Sequence, residues 1–230
     1  MKNQYFGDIN DFRKYGLLRI LSSEGAMKLG ICWMLTPDVN SRDGLKRSHL
    51  EVRDERDNAD PELLQLLKNC KCDVVEAEAK GLFRSTSFWR KILADDRNLR
   101  IQYFQDMLQE FRGVDLIFFD PDNGMEVKSR LYGRRNSSKY LYWSELKAAF
   151  ETGSSVLVYQ HFCREKRDNF IDRLSQRFYE ETQAGKIISF RTPHVVFFLA
   201  VQDKHLGQLA SLTTGLQRWG KQFTTKEHRF

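Results

Sequence analysis

Five short apolar runs limit what this chain can fold into: residues 27–36 (MKLGICWMLT), 115–120 (DLIFFD), 154–161 (SSVLVYQH), 186–191 (KIISFR) and 195–201 (VVFFLAV). Each has the length of a strand and too few polar positions for one side to face water. Between them lie segments with helical spacing, at 8–22, 61–68, 98–111, 143–150, 164–183 and 205–219. Asp8 is a good N-cap for the first, and Asp11 falls in its first turn, where acids suit the helix dipole. Asp60 is set to cap the second, with Pro61 at its first position. Residues 73–79 fit strand and helix equally well. Helices alternating with strands, closed by two adjacent strands, predict a single α/β domain over 1–230. Its sheet is expected to be doubly wound and mostly parallel, ending in an antiparallel hairpin at 186–201. Residues 38–98, polar and charged at their start, are expected to form an insertion or irregular region within it.

Hydrophobic residues make up 41% of the 230 residues, enough for a sizeable core. No apolar run approaches a membrane span, and MKNQYFGDIN at the start lacks the apolar stretch of a signal peptide. Both points lead to the expectation of a cytoplasmic protein with no membrane partner. Cys32, Cys70, Cys72 and Cys163 are then expected to be reduced thiols. The Cys70–Cys72 pair and the His161–Cys163 pair could supply zinc ligands, but their spacing is not the usual C-x₂-C, so no metal is expected. The formal charge of +6 permits a nucleic-acid partner; its distribution matters more than its sum.

Ligands of open α/β sheets bind outside the carboxyl ends of the strands. That rule brings residues 37–38, 120–123 and 160–162 to one rim. FFDPDNGMEV (118–127) contains turn formers, and Asn123–Gly124 alone would be enough to make a turn. A turn does not require Asp120. It is the first polar residue after four apolar ones, and a rigid strand orients it, as a catalytic carboxylate requires.

LIFFDPDNG resembles the catalytic D-P-P-Y loop of amino-directed nucleic-acid methyltransferases. In that family the acid and the following carbonyl accept hydrogen bonds from the target amine, and the aromatic stacks on the base. Asp120 and Pro121 match the motif, Asp122 stands for its second proline and Asn123 for its aromatic. YFGDINDFRKYGLLRIL is similar to the N-terminal G-N-x-A-D-x-x-K-H segment of the bacterial large-subunit ribosomal RNA adenine-N6 methyltransferases. Gly7, Asp8, Asp11 and Lys14 line up with it, and Tyr15 takes the place of the histidine. The resemblance implies a class I methyltransferase (Rossmann-like) sheet, S-adenosylmethionine as cofactor, and a donor site that includes these five residues. Asp38, after the first strand, is a further candidate for the donor's ribose or amino group. Lys14 falls among Leu17, Leu18 and Leu21, so it either snorkels or meets an anion, for which the donor carboxylate would serve. VLVYQHF (156–162) resembles the strand and aromatic-rich end that follow the motif in the same family, which makes His161 a candidate proton carrier or base contact. TPDVNSRDG (36–44) carries a single, late glycine where methyltransferases of this fold usually have a Gly-rich turn.

KSRLYGRRNSSKYLYW (128–143) contains Lys128, Arg130, Arg134, Arg135 and Lys139, with no acid between Glu126 and Glu145. Aromatic residues, Tyr140 among them, interleave with these cations. Cations neutralise phosphates and aromatic faces stack on unpaired bases, so Lys128, Arg130, Arg134, Arg135, Lys139 and Tyr140 are expected to contact RNA or DNA. The catalytic candidates are Asp120, Pro121, Asp122 and His161. A second reading is a Mg²⁺-dependent nuclease of PD-(D/E)xK type, in which Asp122 and Glu126 hold the metal and Lys128 assists water attack. Lys128 separates the two: paired with both acids in a nuclease, solvent-facing in a methyltransferase. A third reading is a non-catalytic nucleic-acid-binding domain on a degenerate methyltransferase fold.

Overall fold

A computed structural model describes residues 9–22, 27–37, 59–69, 74–79, 81–83 and 86–230. The strands are β1 (Leu29–Cys32), β2 (Thr86–Trp89), β3 (Leu116–Phe119), β4 (Gly124–Met125), β5 (Tyr140–Leu141), β6 (Ser155–His161), β7 (Lys186–Arg191), β8 (Val195–Val201) and β9 (Thr224–His228). β1, β3 and β8 are buried at every position, as continuous apolar runs covered on both faces should be. Seven strands form one sheet in the order β2-β1-β3-β6-β8-β7-β9, and β4 pairs with β5 separately. β2, β1, β3 and β6 pair in parallel, while β8 is antiparallel to both β6 and β7. β9 closes the far edge antiparallel to β7. Five strands of the mixed sheet therefore share one direction; β7–β8 is the expected antiparallel hairpin, but it does not end the sheet, because β9 adds a further edge strand beyond β7.

The helices are α1 (Ile9–Ser22), α2 (Pro61–Lys68), α3 (Val74–Ala79), α4 (Arg97–Glu110), α5 (Trp143–Glu151), α6 (Arg167–Thr182) and α7 (Ala210–Arg218). Alternation along the strands divides the core between two faces. Leu29, Ile31, Phe118 and Leu157 join Phe12, Leu17, Leu63 and Trp219 on the side of α1, α2 and the C-terminal segment. Ile117, Phe119, Val156 and Val158 join Phe104, Met107, Leu146, Phe170 and Phe178 on the side of α4, α5 and α6. Asp60 caps α2 as its sequence position requires, accepting from the Leu63 amide at 2.9 Å, and Pro61 opens the helix.

Other details differ from the sequence expectation or settle what it left open. The strand within 27–36 is shorter than its apolar run, because Met34 adopts a positive φ of 47° and ends the ladder. Residues 74–79 are helical. Residues 205–219 are split into a 3₁₀ segment, Asp203–Leu209, and α7. β2 lies inside 38–98 yet extends the main sheet beside β1. Among the described residues no helix is long and apolar enough to cross a membrane.

Candidate functional site

β1, β3 and β6 are neighbours and parallel, so their carboxyl ends share one rim. The two-residue alternation that turns Ile31 and Phe118 toward α1 continues past the strand ends. Trp33 and Tyr159 belong to that same α1-side core. Asp120 extends the ladder by one bond, its amide donating to the Cys32 carbonyl at 3.1 Å. Its side chain meets α1.

Lys14 fills this corner. Its Nζ lies 2.5 Å from Asp11 Oδ1 and donates to Asp120 Oδ2 at 2.7 Å. Lys14, Asp11 and Asp120 are 3%, 4% and 3% exposed, so all three charges lie inside the protein. Rings of Tyr15, Trp33 and Tyr159 stand 5.2, 5.9 and 5.5 Å from the ammonium. Burial disfavours the charged ammonium, but Asp11 and Asp120 outweigh that, so the Lys14 pKa lies above the ordinary lysine value. The sequence left open whether Lys14 snorkels or meets an anion. It meets anions, and they are protein carboxylates from its own helix and from the end of β3. Trp33 donates from Nε1 to Glu78 Oε1 at 2.7 Å, which fixes the indole above the corner.

The turn after Asp120 is held by β6. Pro121 is buried, and Asp122 accepts from Thr36 Oγ1 at 2.9 Å, linking the ends of β1 and β3. Gly124 has φ +97°, and the Gln160 amide occupies the space a Cβ would need. That amide accepts from the Met125 N–H at 2.7 Å and donates to the His161 carbonyl at 2.7 Å. His161 itself is exposed, its ring edge-on to Tyr159 at 5.0 Å.

The basic stretch is a folded excursion from this turn. β4 pairs with β5, and the Asn123 amide donates to the Lys139 carbonyl at 2.9 Å, so 139–141 return to the candidate catalytic turn. Arg100, wholly buried in α4, holds the returning segment from beneath. It donates from Nε and Nη2 to the two Glu145 oxygens at 2.5 and 2.8 Å, and to the carbonyls of Ser137 and Tyr140 at 3.0 and 2.6 Å. Asp95 accepts from the amides of Asn136 and Ser138 at 2.7 and 2.8 Å. Above these anchors Lys128, Arg130, Arg134 and Arg135 are exposed, and Lys139 and Tyr140 are half-buried.

Of the residues of the nuclease reading, Glu126 and Lys128 line one cleft, which Asp122 does not line. Asp122 faces Thr36, Glu126 lines a cleft against α6, and exposed Lys128 makes no ion pair among the described residues. Burial, then Glu145, raises the Glu126 carboxyl above its ordinary range. Among the described residues no cluster of three His, Cys, Asp or Glu could hold a metal ion. Cys163 is exposed, and buried Cys32 contacts Tyr103 Oη at 3.4 Å, with burial pushing its thiol up to about 11. Gly7, Asp8, Asp38, Cys70 and Cys72 lie outside the described residues.

Sequence reasoning placed Gln160 on the rim without a role, and missed Trp33, Tyr159 and Thr36 around the turn and Arg100, Asp95 and Glu145 beneath the excursion. Trp33 and Tyr159 could have been found by extending the strand alternation to the rim. Arg100 carries no such signal, since an arginine in a polar helix reads as solvated. No protein-family model matches the sequence, and comparison with curated proteins gives no match.

Proposed function

We propose that this chain is an S-adenosylmethionine-dependent methyltransferase of the class I type, acting on an amino group of a nucleic-acid base. One observation carries the proposal. Two segments that separately resemble the same enzyme family, around Lys14 and around Asp120, meet in a buried ion pair. Supporting it are the position of Asp120 at the carboxyl rim and the basic excursion joined to its turn.

In this reading Asp120 and the Pro121 carbonyl accept hydrogen bonds from the target amine, and Lys14 fixes the carboxylate in one orientation. The excursion neutralises phosphates and sets the strand over the turn. The donor supplies a sulfonium methyl group to the amine nitrogen. Its site would draw on Asp11, Lys14 and Tyr15 with Gly7, Asp8 and Asp38.

Calorimetry with S-adenosylmethionine and with its demethylated product tests the proposal directly. Saturable heat from either supports it. No binding at millimolar ligand, with nucleic-acid binding retained, replaces it with the non-catalytic binding module. Mg²⁺-dependent strand cleavage without donor binding replaces it with the nuclease.

A further inference from the structure

A cleft of about 780 Å³ separates the start of the excursion from α6, within the ~300–1,000 Å³ typical of small-ligand sites. The excursion side bears Lys128 and Arg130, the α6 side Arg173 and Arg177, and Tyr132 and Trp143 supply aromatic surface. Neither Lys128 nor Arg130 forms an ion pair among the described residues. Arg173 pairs with Glu165 at 2.7 Å and Arg177 with Glu180 at 3.7 Å and with Glu181. Such solvent-exposed pairs contribute little to stability, so both guanidinium groups can re-partner with a phosphate at little cost. Val127 and Leu131 are 42% and 67% exposed at the same lip, flanking the two cations in sequence. These two side chains give the lip an apolar surface that the face of a base or ribose can cover.

We infer that this cleft is a nucleotide-binding subsite, taking one unpaired nucleotide with its phosphate. The inference rests on the nucleic-acid part of the proposed function and extends it to α6, which the sequence did not implicate. The phosphate meets Lys128 and Arg130 at the lip, with Arg173 and Arg177 opposite. The base lies against Leu131, Tyr132 and Trp143. Glu126, half-buried in the same cleft, offers a polar group to the base edge. The nucleotide can belong to a strand whose target base sits at Asp120, or it can be a free mononucleotide. Both present the same chemistry.

Trp143 makes the cleft observable. Trp33, Trp89 and Trp219 are 0%, 7% and 3% exposed, while Trp143 is half-buried at the cleft wall. The whole chain is titrated with a mixed-sequence single-stranded oligonucleotide and with adenosine monophosphate, without methyl donor, while tryptophan emission is followed. A saturable change that disappears in Trp143→Phe is expected. Affinity should fall roughly tenfold at low salt when Lys128 and Arg130 are both changed to Ala, since two phosphate contacts are lost. Saturation by the mononucleotide at similar concentration also supports the subsite and assigns it to free nucleotide. Suppose the oligonucleotide binds without changing Trp143 emission, and Lys128→Ala/Arg130→Ala binds like the wild type. The subsite is then overturned while nucleic-acid binding stands. If neither probe binds, the subsite falls together with the nucleic-acid part of the proposed function. Failure of the donor calorimetry alone leaves this measurement intact.

Discussion

Lys14 in α1 and Asp120 at the end of β3 stand 106 positions apart in sequence and 2.7 Å apart in space, both almost wholly buried. Desolvating two charges is costly, and their attraction offsets that cost only while both partners remain. The corner is therefore both a structural tie between α1 and the sheet and a candidate for chemistry. Stability and turnover must be measured separately there.

Lys14→Met should destabilise the fold by about 3–5 kcal/mol, because it leaves Asp11 and Asp120 buried without their common cation. Asp120→Asn should cost less, about 1–3 kcal/mol, because Asp11 still pairs with Lys14. The double variant should be clearly non-additive. Urea denaturation of all four forms of the cycle measures this. Additive effects would mean the two side chains do not interact in solution.

Asp120→Asn and the pair Arg134→Ala/Arg135→Ala should fail in different ways. The first should lower methyl transfer by orders of magnitude with little change in nucleic-acid affinity. The second should weaken binding and flatten the log–log salt dependence by roughly one unit per lost phosphate contact. Filter binding across a salt series, beside single-turnover methylation, separates the two. Equal loss of affinity in both would remove the distinction between chemistry and docking.

Gly124→Ala should loosen the turn after Asp120. Its φ of +97° is strained for any L side chain, and the new Cβ would displace the Gln160 amide. The Met125–Gln160 hydrogen bond should break, at a total cost of about 2–3 kcal/mol. A melting temperature equal to the wild type would show that the turn has another way to close.

Asp95→Asn should reveal its role through pH. Burial pushes the Asp95 carboxyl up, but hydrogen bonds from Ser138, Asn136 and Ser137 outweigh it and hold it below the ordinary value. A depressed folded-state pKa adds stability above the unfolded value near 3.9, and that stability is lost as pH falls through the folded value. The variant should be less stable by about 1–2 kcal/mol at pH 7, and the gap should close below about pH 4. A gap that stays constant to pH 3 would assign the loss to shape rather than charge.

The central strands were legible because burial on both faces demands apolar runs, and LIFF and VVFFLAV have them. The edge strands were not. β9 (TTKEH) is mostly exposed and pairs through its backbone, so its side chains carry no pattern. Asp120 could be singled out because polarity changes abruptly at the end of β3. Its partner could not, since a contact over 106 positions leaves no periodic trace. The basic stretch stood out in the sequence by its charge, and its tip is exposed. Its folded base depends on Arg100 and Glu145, which look like ordinary helix-surface residues until the tertiary fold buries them.

The anchoring of 136–145 by Arg100 and Asp95 has an evolutionary consequence. Residues 128–135 project above that base, held to it through Tyr132 against Tyr142 and the Arg130 carbonyl, and present Lys128, Arg130, Leu131, Arg134 and Arg135 to solvent. Their charge and length can therefore drift without disturbing the ion cluster at Lys14. A protein arranged this way can alter its exposed tip while inheriting the buried corner intact, and natural variation in such a chain is expected to gather there.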